Sequence, residues 1–189
     1  MDVNHYKGII TLMDRLRQHG HQRIGFFSRK YAVEAVWANR RLSAYVENQL
    51  RLGLHFNERD IINLDITTPA STAEGYDRAV AQMRDGVTAW VCAADHQAYD
   101  LITALKERGF SVPRDVSVTG FDGIARPPGA PALDTVRIPY YEIGFGASRR
   151  LFDKLNKRFD APQEILLECR LQEGETIAPN RSVSRASVH

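Results

Sequence analysis

Residues 88–122 read TAWVCAADHQAYDLITALKERGFSVPRDVSVTGFD and contain a complete strand–helix–strand pattern. Residues 88–92 are a short apolar run that is typical of a buried strand. A helix with apolar residues at helical spacing follows, between a cap at Asp95 and a stop at Gly109. Residues 116–120, which follow Pro113 and the polar pair at 114–115, are the next predicted strand. Because a helix between two strands is the usual parallel crossover, this stretch predicts a parallel sheet covered by helices.

The same pattern occurs twice upstream. Apolar runs at residues 23–27 and 60–64 predict two further strands, and residues 33–52 predict the helix between them. A helix capped by Ser71 or Thr72 leads back to residue 88. Strands that alternate with helices over short connections predict a doubly wound α/β fold with a parallel sheet.

Two long helices lie outside this repeating unit. The first starts at the cap Asn4 and stops at Gly20, and the last spans residues 140–157. Both have an apolar stripe but few strands of their own to cover, so we interpret them as remnants of a second lobe whose sheet is mostly missing. The other expected elements are strands at 135–138, 165–169 and near 174–177, and a polar, frayed tail from residue 180.

Composition excludes several classes of protein. The chain has 189 residues with 25 basic and 23 acidic side chains, and this balance provides no basic stripe for nucleic acid. No apolar run is long enough for a membrane span, and the first 20 residues lack the pattern of a signal peptide. Cys92 and Cys169 are far apart and form no CxxC motif, which is typical of buried thiols in a cytoplasmic protein.

No motif for catalysis is present in the sequence. There is no GxSxG elbow, phosphate-binding loop, HExxH motif or Cys/His cluster with metal-ligand spacing. His96 beside Asp95 has no nucleophile or second base next to it. We therefore expect no enzyme, no catalytic residues, no metal site and no cofactor.

Candidate ligand contacts follow from the topology, because ligands of open α/β sheets bind beyond the carboxyl ends of the strands. Asp95 follows one strand directly, where it serves either as the helix N-cap or as a ligand contact. Asp122 ends another strand and precedes a loop, so it either forms an Asx turn or accepts hydrogen bonds from hydroxyls or a ring N–H of a ligand.

Trp37 and Arg41 are four residues apart and therefore share one face of a predicted helix. A tryptophan that stacks and a guanidinium that donates paired hydrogen bonds suit a sugar or a base. The alternatives are core packing for Trp37 and a solvated helix face for Arg41, with Arg40 as its solvated neighbour.

Four segments resemble one family, the LacI/GalR-type transcriptional regulators. HGHQRIG at 19–25 resembles the entry to their second lobe, and WVCAAD at 90–95 resembles the end of one of its strands. GFSVPRDVSVTGFD at 109–122 resembles their signature almost residue for residue, and LDTVRIP at 133–139 with Gly144 resembles a later motif. The resemblance runs from about residue 2 to residue 179.

The resemblance implies a two-lobed, periplasmic-binding-protein-like fold behind a helix-turn-helix headpiece. This chain would hold a complete C-terminal lobe and a truncated N-terminal lobe, without the headpiece. The expected divisions are a remnant helix of the N-terminal lobe at 1–22, the C-terminal lobe at 23–122, a crossover segment at 123–163, return strands at 164–180 and a tail at 181–189.

The resemblance also implies roles for individual residues. Asp122 matches the family aspartate that contacts sugar hydroxyls or a purine ring. Arg41 matches the arginine that typically clamps the effector, and Trp37 falls at a position that contacts ligand in some members. Asp2 matches an aspartate of the first lobe near the cleft, and Ile66 lies near the position where an aromatic residue often stacks on the ligand.

One departure bears on the ligand: Ala94 stands where many sugar-binding members have asparagine. The resemblance implies a portion of a DNA-binding regulator that senses a small-molecule effector, such as a sugar, and forms a homodimer. It implies no contact with a membrane, and DNA contact only through the headpiece. The alternatives are a solute-binding protein of a transport system and an α/β enzyme such as a nucleotide-using transferase.

Overall fold

Four parallel strands form the central sheet of the molecule. A computed structural model describes residues 1–31, 35–156 and 164–180 of the chain. The strands of the sheet are β2 (Ile24–Arg29), β3 (Ile61–Leu64), β4 (Ala89–Cys92) and β5 (Ser117–Thr119). Their order is β3-β2-β4-β5, and every neighbouring pair is parallel. The sheet confirms the doubly wound parallel architecture that the apolar runs predict.

Helices cover both faces of this sheet. α1 (His5–Gln18) and α2 (Val36–Arg51) pack on one face, and α3 (Pro69–Arg84) and α4 (Asp95–Glu107) pack on the other. Within β2, Phe26 belongs to the first of these cores and its neighbour Phe27 to the second, because successive side chains of a strand point to opposite faces. Such two-sided burial requires the continuous apolar runs seen in the sequence.

The packing of α1 corrects one expectation. Ile9, Leu12, Met13 and Leu16 are fully buried in the same core as Phe26 of the sheet. The interpretation that the first helix has few strands to cover is therefore wrong.

One predicted helix cap is confirmed and another is wrong. The side chain of Asn4 accepts a hydrogen bond from the Lys7 N–H at 3.0 Å, which confirms Asn4 as the cap of α1. The cap of α3 is Thr68, so the prediction of Ser71 or Thr72 is wrong. The reason is Pro69, which fits the first helical position and starts the helix earlier.

The remaining elements lie outside the central sheet. β1 (Asp2–Val3) pairs in parallel with β7 (Leu166–Leu167), and β6 (Thr135–Arg137) pairs antiparallel with β8 (Arg170–Gln172). The prediction of a strand near 174–177 is wrong, because the last described strand ends at Gln172. The backbone N–H of Thr176 instead donates to the Asp134 carboxylate at 3.0 Å.

α5 (Tyr140–Leu155) contains no buried residue, in contrast to the four helices that pack on the central sheet. Four expected positions lie outside the described residues. They are the start of the second helix at residue 33, the end of the last helix at residue 157, the end of the crossover segment at residue 163 and the tail at 181–189. None of the helices in the described ranges has the length and apolar content that a bilayer crossing requires.

Candidate functional site

The side chains of Arg41 and Asp122 meet at the carboxyl edge of the sheet. Arg41 lies in the second turn of α2, and Asp122 follows β5. The guanidinium Nη2 is 2.9 Å from Asp122 Oδ1, and the Arg41 side chain is only 4% exposed. Nη1 also donates to the Ala93 carbonyl at 2.5 Å, and Nε donates to His5 Nδ1 at 3.2 Å. The alternative of a solvated helix face for Arg41 is therefore wrong.

Aromatic rings enclose the same guanidinium. The Arg41 Cζ atom is 3.7 Å from the centre of the Phe121 ring and 4.7 Å from the centre of the Trp37 ring. Tyr31 packs its ring edge-on to Trp37 at 4.9 Å, and its hydroxyl accepts a hydrogen bond from Gln97 Nε2. Trp37 also packs against the core, so core packing and contact with Arg41 occur together. These contacts hold the guanidinium plane in one orientation.

Burial dominates the electrostatics of the ion pair. Burial raises the pKa of Asp122 to about 6, and the neighbouring Arg41 charge only partly opposes this shift. Burial also lowers the pKa of Arg41, against the attraction of Asp122. The pKa of His5 falls to about 4 through burial and, secondly, through the Arg41 charge. A neutral His5 ring agrees with its Nδ1 accepting from Arg41.

The backbone holds Asp122 in an uncommon conformation. Its φ is +130°, which side-chain-bearing residues rarely adopt, and Gly123 follows with φ +72°. The backbone N–H of Asp122 donates to the Val136 carbonyl at 3.0 Å, and the backbone carbonyl of Asp122 accepts from the Ile138 N–H at 3.0 Å. These bonds to the neighbouring segment fix a strained residue at the candidate site, which is where such strain commonly occurs.

Asp95 is not the N-cap of α4. Ala94 is the N-cap residue of α4 and Asp95 is the first helical residue, so the N-cap interpretation is wrong. Asp95 Oδ1 accepts from the Thr135 hydroxyl at 2.6 Å, and Oδ2 accepts from the Ile124 N–H at 2.8 Å. The residue is 1% exposed. Asp95 thus joins the start of α4 to β6 and to the loop after Asp122.

The other two candidates lie away from the ion pair. Asp2 forms an ion pair with Arg40, and its Oδ1 is 3.8 Å from His5 Nε2. It therefore approaches Arg41 only through the ring of His5. Ile66 is 52% exposed and lines a separate cavity of about 420 Å³ with Tyr76 and Arg108. Among the described residues, the structure thus brings Arg41, Asp122 and Trp37 together, with Asp95 beside them.

The sequence reasoning missed three neighbours of the site. His5 and Phe121 contact Arg41 directly, and Tyr31 contacts Trp37. Phe121 adjoins Asp122 in the sequence, so that adjacency was an available signal. The position of His5 depends on how α1 packs against α2, and no local pattern in the sequence reveals that.

A polar cavity of about 340 Å³ opens at the carboxyl ends of β2 and β3. Its polar lining includes Ser28, Arg29, Tyr31, Asn39 and Asn63. Because Tyr31 belongs both to this cavity and to the ring cluster around Arg41, the cavity lies next to the ion pair. Within the described ranges, no cluster of three or more His, Cys, Asp or Glu side chains is placed to hold a metal ion.

Fixed donors and acceptors beside aromatic rings suit recognition of a polar, uncharged ring. A guanidinium fork donates to hydroxyl oxygens, and a carboxylate accepts from vicinal hydroxyls or a ring N–H. Burial strengthens both interactions relative to water.

Comparisons with known proteins bear on the fold and the family of the chain. Residues 13–177 match the model of the periplasmic binding protein-like domain. The chain is 32% identical over 179 residues to the HTH-type transcriptional regulator AscG of Escherichia coli strain K12, covering 94% of this chain and 52% of that protein. It is 31% identical over 173 residues to the HTH-type transcriptional repressor CytR of the same strain, covering 89% and 49%.

A solved structure gives the same result. The crystal structure of a sugar-binding transcriptional regulator of the LacI family from Escherichia coli, complexed with phosphate, has a TM-score of 0.76 and 30% identity. The match covers 94% of this chain and 63% of that one. The chain spans about half the length of the curated relatives that it matches.

Proposed function

The chain belongs to the periplasmic binding protein-like domain family, as an effector-binding portion of the LacI/GalR type, and on this premise we propose that it senses a sugar for a transcription regulator. The observation that carries the proposal is the buried Arg41–Asp122 pair, with the Trp37 ring on the guanidinium. Arg41 and Asp122 bind ring hydroxyls, and the Trp37–Tyr31 ring pair borders the sugar.

Further parts of the function extend beyond these 189 residues. DNA contact belongs to a headpiece outside this chain, in a homodimer that works in the cytoplasm. Support comes from the relatives, which are named as transcriptional regulators and are about twice as long. The effector acts by binding one arrangement of the lobes more tightly than another, because only differential affinity shifts such an equilibrium.

Among the six candidate contacts, Arg41, Asp122 and Trp37 form the first group around the effector. Asp2 contributes by facing His5 behind the guanidinium, and Asp95 by bracing the loop after Asp122. Ile66 lines the separate cavity with Tyr76 and Arg108, so it contacts only a ligand that extends beyond the Arg41–Asp122 pair. No catalytic residue, metal or cofactor is part of this proposal.

The test is a thermal-shift screen of the chain against pentoses, hexoses, disaccharides, polyols and nucleobases. We expect one ligand class to raise the melting temperature of the parent chain and to have no such effect on Asp122→Ala. The matched control is Asp14→Ala, which removes an exposed aspartate that pairs with Arg51 at 2.9 Å.

The two variants separate a ligand contact from a general loss of stability. An effector response that persists in Asp122→Ala would remove Asp122 from the site. A response that disappears in both variants would show that it depends on overall stability and not on the proposed pair.

A further inference from the structure

His5 is the first residue of α1, and its ring is one of the buried polar groups around Arg41. Only 6% of the residue is exposed, and its ring centre lies 5.9 Å from that of Phe121. Nδ1 accepts the Nε–H of Arg41 at 3.2 Å, and Nε2 lies 3.8 Å from Asp2 Oδ1. One imidazole ring therefore stands between a carboxylate and the guanidinium of the candidate site.

The two ring nitrogens of His5 face groups of opposite kind. The Arg41 guanidinium has N–H donors and no acceptor, so Nδ1 contacts it as an acceptor. In a neutral imidazole the proton then resides on Nε2, which faces the negative charge of Asp2. Burial and, secondly, the Arg41 charge lower the pKa of His5 to about 4, so the ring is neutral at pH 7. Both neighbours thus favour the tautomer with the proton on Nε2.

The contact with His5 decides which donors of Arg41 are left for an effector. A guanidinium has five N–H donors in one plane. His5 takes the donor on Nε, the Ala93 carbonyl takes one on Nη1, and Asp122 takes one on Nη2. Within the described part of the chain, one N–H then remains on each terminal nitrogen. Two such donors suit two oxygens of the same ligand.

A side chain without an acceptor at His5 would change this distribution. The Nε–H of Arg41 would stay buried without a partner, which is costly for a charged group. The guanidinium would gain by turning toward another acceptor, and its two remaining donors would then point elsewhere. Affinity for an effector with two spaced oxygens therefore depends on the acceptor nitrogen of His5.

Asp2, the other neighbour of His5, is held by a strand pair outside the central sheet. It belongs to β1, which pairs with β7, and its N–H donates to the Ile165 carbonyl at 2.9 Å. The Asp2 side chain also pairs with Arg40, which precedes Arg41 on α2. The described residues alone bury the His5 ring, so these contacts need no further segment of a longer chain.

We propose that His5, with its proton on Nε2 toward Asp2, is a positioning residue that orients Arg41 and leaves one N–H of each terminal nitrogen for the effector. The inference rests on the proposed function, because it takes Arg41 to bind the effector. It deepens that function by giving His5 and Asp2 a role at the site without contact to the effector. A buried histidine that only fills space is the alternative.

The first experiment observes the tautomer without any ligand. Long-range proton–nitrogen correlation spectra of the isotope-labelled chain at pH 7 report the protonation of each histidine ring. The signals of His5 are assigned by their absence in His5→Asn. We expect the Nε2–H form in the parent chain. An Nδ1–H form or an imidazolium at pH 7 overturns the inference, because neither leaves an acceptor for Arg41.

The second experiment measures affinity by titration calorimetry, with the sugar that gives the largest thermal shift in the screen. His5→Leu should bind it about tenfold more weakly, because leucine removes the acceptor of a charged donor. His5→Asn should stay within about threefold of the parent chain, since asparagine places its carbonyl oxygen where His5 has Nδ1.

The matched control for this experiment is His21→Leu. It also removes a buried histidine, but one whose partners are Thr88 and Ala178, so its affinity should equal that of the parent chain. Equal affinities of His5→Leu and the parent chain, or equal weakening by His5→Leu and His5→Asn, overturn the inference. The tautomer of the parent chain tests the inference even if His5→Leu does not fold.

A double-mutant cycle tests whether His5 acts through Arg41. Lysine has no guanidinium Nε–H, so adding His5→Leu to Arg41→Lys should change the affinity by less than about twofold. The full effect of His5→Leu in the Arg41→Lys background would mean that His5 influences binding without Arg41. That result contradicts a positioning role.

The tautomer also separates failure of this inference from failure of the proposed function. A parent chain that binds a sugar but has its His5 proton on Nδ1 overturns the positioning role and leaves the sensing function in place. A parent chain with the Nε2–H tautomer that responds to none of the ligands supports the arrangement of His5 and Arg41 and contradicts the sensing function.

Discussion

Arg41 Nη2 and Asp122 Oδ1 are 2.9 Å apart in a setting where both side chains are largely buried. The two residues come from different elements, and each is fixed independently. His5 and the Ala93 carbonyl hold the guanidinium, and backbone bonds to Val136 and Ile138 hold Asp122. The pair is therefore organised before any ligand arrives, which reduces the conformational entropy that binding would otherwise cost.

Arg41→Lys should weaken effector binding by about 1–3 kcal/mol. Lysine keeps the charge but cannot donate to His5, Ala93 and Asp122 at once from a planar fork. Isothermal titration with the ligand class found in the screen measures the change. Arg51→Lys is the matched control, because Arg51 pairs with Asp14 at an exposed site. Equal affinities of Arg41→Lys and the parent chain would place Arg41 outside the effector site.

Effector affinity should depend on pH through Asp122. Burial raises the pKa of this carboxyl to about 6, so it loses its charge as the pH falls from 7 to 5. A protonated carboxyl accepts fewer hydrogen bonds from sugar hydroxyls, and we expect affinity to fall over this interval by up to about tenfold per pH unit. His5 does not titrate here, since its pKa is about 4.

Asp122→Asn is the control for this pH dependence. It removes the titrating group and keeps an oxygen acceptor, so its affinity should be lower at pH 7 and nearly constant down to pH 5. Titration calorimetry at pH 7, 6 and 5 provides the measurement. A parent chain whose affinity is flat over this range would contradict the role of Asp122 as an ionised acceptor.

β4 could be predicted because residues 89–92 are a continuous apolar run. The cap Asn4 could be predicted because its partner Lys7 is local. The sequence signals fail where the partner is remote in sequence. Asp95 resembles a cap, but its partner Thr135 comes from a later strand. The same holds for α1, whose place on the sheet depends on α2 and on Phe26.

For the candidate site, spacing predicted that Trp37 and Arg41 share a helix face, and topology placed Asp122 at the carboxyl edge. Neither signal shows that the Arg41 guanidinium is buried against Phe121 at 3.7 Å. Burial of a charge depends on the sum of all surrounding contacts, and this sum becomes known only with the fold.

Asp95→Ala should lower the free energy of unfolding by about 1–3 kcal/mol, because it leaves one buried donor and one partly buried donor without their acceptor. These donors are the Thr135 hydroxyl and the Ile124 N–H. Thr135→Val removes one of the two bonds and should cost less. Urea unfolding measures both variants. If Asp95→Ala keeps the parent stability and loses the effector response, Asp95 contacts the ligand and does not brace the fold.

His21 should make the fold less stable in mild acid. Its Nε2 donates to the Ala178 carbonyl at 3.0 Å, its Nδ1 is 2.9 Å from the Thr88 hydroxyl, and burial lowers its pKa to about 4. Between pH 6.5 and pH 4 the unfolded chain therefore binds a proton at this position that the folded chain does not. The free energy of unfolding falls with pH in this window, by at most about 1.4 kcal/mol per pH unit for one proton.

His21→Gln isolates this contribution from those of other groups. His5 and His96 have the same sign, because burial lowers the pKa of both, and Asp122 and Asp95 have the opposite sign, because burial raises the pKa of both. Glutamine can still donate to Ala178, so we expect about 1 kcal/mol lower stability at pH 7 and a shallower decline down to pH 5. The exposed His55→Gln is the control and should keep the parent slope. Urea unfolding at pH 7, 6 and 5 provides the measurement. If the free energy of unfolding of His21→Gln depends on pH as that of the parent chain does, His21 is protonated in the folded chain.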